Sequence, residues 1–156
     1  MNPAIPHEPG DITAEWLTMA LAPHGLGPID AVTQAAPPPQ GLYGQLMRVQ
    51  PVYSANAGPD RFIVKLSSAN PDMRNRPGTK AAYAREVGFY RSLANSANVA
   101  TPRCYYADVD RDAGHHVLVL EDITAGPVYN ASAGCPGEAT LAAVRAIANL
   151  HADWWG

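Results

Sequence analysis

The sequence predicts an α+β fold: a five-stranded, mostly antiparallel sheet with one helix packed across it. Three observations carry this. Five short runs with strand character lie at 29–33, 46–53, 61–66, 104–109 and 116–120. Turn-forming residues separate the second run from the third (Asn56, Gly58, Pro59, Asp60) and the fourth from the fifth (Asp110-Arg111-Asp112-Ala113-Gly114). A helical pattern at 79–94 stands between the third run and the fourth.

Taken in order, the first ten residues carry no apolar periodicity and are expected to form a flexible terminus. Thr13 is an N-cap candidate for a helix whose Trp16, Leu17, Ala20 and Leu21 recur at helical spacing. Pro23, Gly25, Gly27 and Pro28 end it. Pro37-Pro38-Pro39 has no N–H to give to a ladder and marks a loop before the second strand. Residues 67–78 read as a polar loop, 124–137 as a linker and 138–155 as the last helix.

Composition narrows the function classes. The 156 residues are 47% hydrophobic and 16% charged, a globular balance, with 13 Gly and 15 Pro implying long irregular segments. A net charge of −3 without a basic tract argues against nucleic acid as a partner. No apolar run is long enough to span a membrane, and residues 1–10 do not read as a secretory signal. Cys104 and Cys135 are expected as free thiols in a reducing cytoplasm. The sequon Asn130-Ala131-Ser132 is then a chance match.

Four features bear on chemistry. Lys65 lies in Phe62-Ile63-Val64-Lys65-Leu66, where alternation puts Ile63 and Lys65 on one face and the other three on the opposite face. A lysine in such a run needs an anionic partner or a route to water. On the helix at 79–94, Tyr83, Val87, Tyr90 and Ala94 line an apolar face, and Glu86 falls on its border. Lys65 is its natural partner, with Arg85 and Arg91 as the alternatives. A Lys–Glu pair between a strand and the next helix is one way to aim an ammonium at ATP phosphates. Gly41 and Gly44, one strand earlier, suit a turn that covers phosphates with backbone N–H groups, although two glycines near prolines usually mark just a loop. Finally, Val117-Leu118-Val119-Leu120-Glu121-Asp122-Ile123 runs from a buried strand into a hinge whose backbone groups suit the edge of an adenine.

In this order the motifs resemble the phosphotransferase superfamily of aminoglycoside, choline and ecdysteroid-type kinases. The V-L-V-L-E-D-I stretch and the final N-L-H-A-D-W-W carry most of the likeness, which covers about 13–156. The resemblance implies a protein-kinase-like N-terminal lobe at 11–123, a hinge at 124–137, and the first helix of a C-terminal lobe at 138–156. It implies that Lys65 binds ATP phosphates, that Glu86 orients Lys65, that Gly41 and Gly44 border the phosphates, and that the Glu121 and Ile123 backbones hold the adenine. The family's catalytic base and Mg²⁺ ligands lie in a later H-G-D-x-x-x-x-N loop and a following Asp motif, and only five residues follow His151 here. The implied activity is transfer of the ATP γ-phosphoryl to the hydroxyl of a small-molecule acceptor, by a full-length form rather than by this chain alone. The alternatives are a non-catalytic module that binds a nucleotide or a partner, and an unrelated α+β domain with Lys65 and Glu86 on its surface.

The last helix adds an independent expectation. Leu141, Val144, Ile147, Leu150, Trp154 and Trp155 spread over about half of its circumference, wider than the ~100° stripe of a surface helix. Such a face predicts self-association or a further layer of structure over it. His151 falls inside this arc and is expected as a core histidine bonded to backbone, while His115 and His116 beside a turn are expected to be solvated. No Cys or carboxylate stands at ligand spacing from them, so no metal site is expected.

Overall fold

The computed structural model describes residues 2–35, 43–55, 58–123, 129, 132 and 134–155. Helix α1 (Ala14–Leu21) starts where Thr13 Oγ1 accepts the Trp16 N–H at 3.1 Å, satisfying one of the free donors of the first turn. The strands follow as β1 (Ile29–Ala35), β2 (Gly44–Tyr53) and β3 (Phe62–Ser67). A short helix α2 (Pro71–Arg74), capped by the Asn70 side chain, interrupts the expected polar loop and leads into α3 (Pro77–Ser92). Strands β4 (Cys104–Asp110) and β5 (His115–Glu121) form a hairpin before α4 (Gly137–Asp153). The hairpin turn needs Gly114, whose φ of +73° is a left-handed conformation that costs other residues strain.

The sheet order is β1-β2-β3-β5-β4, and all four pairings are antiparallel. Alternation along the strands divides two hydrophobic clusters between its faces. Phe62, Val64, Leu66, Val117 and Val119 meet Trp16, Leu17, Ala20 and Leu21 of α1 on one face. Leu118, Leu120 and Ile63 meet Val87 and Tyr90 of α3 on the other. The sheet is therefore covered by a helix on each side, where one packed helix was expected. Wholly apolar runs such as V-L-V-L in β5 require this, because both of their faces must leave water.

The N-terminal residues, expected to be flexible, are held against the rest of the fold. The Ala4 carbonyl accepts from Trp16 Nε1 at 2.7 Å, the Pro3 carbonyl accepts from the Tyr106 hydroxyl at 3.3 Å, and His7 stacks on His115 at 3.7 Å. Helix α4 has no buried residue. Leu141, Val144, Ile147, Trp154 and Trp155 are exposed, as the wide apolar arc anticipates. Its C-terminal end meets the end of α3, where Phe89, Leu93, Leu150, His151, Trp154 and Trp155 line a shallow cavity of about 390 Å³. His151 is thus an exposed residue rather than a core histidine. Among the described residues no helix is long and apolar enough to cross a membrane.

Candidate functional site

The site lies on the sheet face that α3 shares. Helix α3 packs on β4 and β5, leaving Lys65 and Ile63 of β3 only half-buried. Register places Leu46 opposite Lys65 and Arg48 opposite Ile63, so these four side chains share this face. Alternation adds Gly44 at the start of β2.

Lys65 Nζ donates to both carboxylate oxygens of Glu86, at 2.6 and 2.8 Å. The pair joins the middle of β3 to the middle of α3, and both side chains remain about 30% exposed (27% and 32%). A pair this wet stabilises a fold by about 1 kcal/mol at most. Its main effect is to orient the ammonium while leaving it within reach of solvent. Arg85 and Arg91 do not take Glu86. Arg91 instead bonds the Ala107 carbonyl and Asp108.

Gly44 is brought to the same place. A Cβ there would lie 2.6 Å from the Leu66 carbonyl oxygen and 3.7 Å from Lys65 Cε. The first value is inside van der Waals contact with backbone, so this close approach of β2 to β3 requires glycine. Gly41 lies outside the described residues.

Glu121 and Ile123 mark the end of β5. The Glu121 N–H donates to the Arg103 carbonyl at 2.8 Å, and its carboxylate accepts the Arg103 N–H at 3.1 Å. Its backbone donor is therefore already engaged. Ile123 projects from the strand end with 58% exposure.

The sequence places Asp122 in the hinge run but gives it no partner, and it passes over Arg48. Asp122, between Glu121 and Ile123, has a side chain only 4% exposed and is held by Arg48 through two bonds, Nε to Oδ2 at 2.6 Å and Nη2 to Oδ1 at 3.2 Å. This two-point contact fastens the strand end to β2 with a geometry that lysine cannot reproduce. Arg61 Nε stands 3.9 Å from the same carboxylate. A detectable signal was present: an aspartate ending an apolar strand needs a cation, and Arg48 is the one basic residue in β2.

His116 corrects a second expectation. It is fully buried, stacked on Tyr83 at 4.0 Å with an interplanar angle of 19°, and neither ring nitrogen has a hydrogen-bond partner among the described residues. Burial first, then the charge of Lys65 and then His115, push its imidazole down to about 3. It stays neutral beside the ammonium. Half-buried His115 contacts Ser67 Oγ through Nδ1 at 3.2 Å, and it too is shifted down, chiefly by burial.

The geometry brings together Lys65, Glu86 and Gly44, with Arg48 and Asp122 flanking them. One oriented cation stands on a half-open apolar floor beside a strand start that carries no side chain. Compared with known protein families, curated proteins and solved structures, the chain matches none.

Proposed function

We propose that this chain is the ATP-binding portion of a small-molecule kinase, with residues 11–123 as a protein-kinase-like N-terminal lobe. The observation that carries the reading is the two-bond contact of Lys65 with Glu86 between β3 and α3, next to a glycine that admits no side chain. An ammonium already aligned by a carboxylate, yet open to solvent, can meet a polyphosphate without losing side-chain entropy at that moment. Its role is to position phosphates and offset their charge.

When bound, ATP supplies the phosphoryl group that a hydroxyl of the acceptor receives. In this chain Lys65 binds phosphate oxygens, Glu86 holds Lys65 in place, and the Gly44 backbone borders the phosphates. The end of β5 offers the Glu121 carbonyl and the Ile123 backbone to the base. Mg²⁺ does not fit the carboxylates gathered here: Glu86 is committed to Lys65 and Asp122 to Arg48. No step is assigned to the metal within this chain.

Calorimetric titration of the chain with MgATP tests the reading. Saturable binding that weakens about 10- to 100-fold in Lys65→Ala is expected, matching the ~1.5–3 kcal/mol of a hydrogen bond to a charged group. Equal affinity of the two proteins would sink it.

A further inference from the structure

Tyr83 reads in the sequence as one more apolar residue of α3. In the structure its ring is fully buried and its hydroxyl makes two polar contacts. Registered pairing of β2 with β3 stops at Gly44 opposite Ser67. The next residues outward are Tyr43 and Ser68. The Tyr83 hydroxyl stands between them, accepting the Ser68 N–H at 3.0 Å and donating to the Tyr43 carbonyl. It acts as an inserted rung, supplied by the helix, at the open end of the ladder.

We propose that Tyr83 is a positioning residue of the nucleotide site. Its hydroxyl ties the chain entering Gly44 to the helix that carries Glu86, so Gly44 and the Lys65–Glu86 pair hold a fixed separation. Three features support this. Tyr83 and Glu86 are three residues apart on α3, on adjacent turns of one surface. The ring cannot swing away, because it is clamped against His116 of β5. A phenol uses one donor and one acceptor here, and a direct Tyr43–Ser68 rung would draw the two strand ends closer than the inserted oxygen permits. The inference rests on the nucleotide reading above, and it assigns the phosphate side of that site, rather than the base side, to Tyr83.

The test is Tyr83→Phe, which keeps the stack on His116 and removes only the oxygen. MgATP and adenosine affinities are measured for the 156-residue chain, its Tyr83→Phe variant and its Lys65→Ala variant, together with amide exchange at Ser68. The expected result is MgATP binding weakened about fivefold in Tyr83→Phe, the scale of one neutral hydrogen bond, with adenosine unchanged. Equal loss of both ligands would mark a merely structural role, and no loss would mean no role; either overturns the proposal. If the parent chain binds no nucleotide, or Lys65→Ala binds MgATP equally well, the nucleotide reading itself has failed and the positioning role goes with it. Ser68 exchange then judges the inserted rung separately: slow in the parent and faster in Tyr83→Phe is expected, and an unprotected Ser68 amide in the parent overturns it.

Discussion

Lowering the pH from 7.5 to 5 should destabilise this protein, chiefly through His116. His116 is completely buried among Tyr83 and the β5 core, with no hydrogen-bond partner for either ring nitrogen among the described residues. Burial, the Lys65 ammonium and His115 lower its folded-state value to about 3 from an ordinary 6.5. Below 6.5 the unfolded chain takes up a proton that the folded chain refuses, so acid pulls the equilibrium toward unfolding. The loss begins near pH 6.5 and continues toward pH 3, at about 1.4 kcal/mol per pH unit. Between pH 6.5 and 5 it comes to about 2 kcal/mol, a large share of the ~5–15 kcal/mol that holds a domain together. Urea unfolding of the parent chain and His116→Phe across this range isolates the effect. Phenylalanine keeps a flat ring against Tyr83, carries no proton and removes two unpaired nitrogens. The variant should be at least as stable as the parent at pH 7.5 and should lose about 2 kcal/mol less on acidification. His115, which burial also shifts down, is present in both proteins, so the difference belongs to His116. Stability curves that fall in parallel would refute the reasoning.

Gly44→Ala should cost about 1–3 kcal/mol in chemical denaturation, because its Cβ would press on the Leu66 carbonyl at 2.6 Å and backbone must yield. Gly88→Ala, where nothing lies within 4 Å in mid-α3, should instead stabilise by about 0.5–1 kcal/mol, and a similar loss at both sites would show that close approach is not the cause. Cys104, pushed up to about 11 chiefly by burial, should resist a thiol reagent at pH 8 while exposed Cys135 reacts at once. Two equally fast thiols in the native protein would contradict the packing of β4. The exposed apolar residues of α4 should drive self-association visible by light scattering, and Val144→Lys with Ile147→Glu should reduce it without moving the unfolding midpoint. A monodisperse monomer at high concentration would count against this.

Short-range physics made much of the fold legible. Thr13 capping α1, the strand alternation around Lys65 and the turn at 110–114 depend on neighbours within a few residues, and each has a characteristic residue pattern. The Lys65–Glu86 pair was also legible, because an ionic group amid apolar neighbours demands a counter-charge and the chain offers few. The same logic, applied to Asp122, would have found Arg48.

What the sequence by itself determined was the kind and order of the elements other than α2, and the demand of a charged residue amid apolar neighbours for a partner, since these follow from local backbone preference and the cost of burying charge. Only the tertiary structure decided that α1 seals the second face of the sheet. It alone placed the hydroxyl of Tyr83 between strand ends 40 and 15 residues distant, and closed a hydrophobic core around His116. A tyrosine or a histidine carries the same local signature whether its polar atoms meet water, backbone or nothing, and that choice is made by which distant surfaces fold over it.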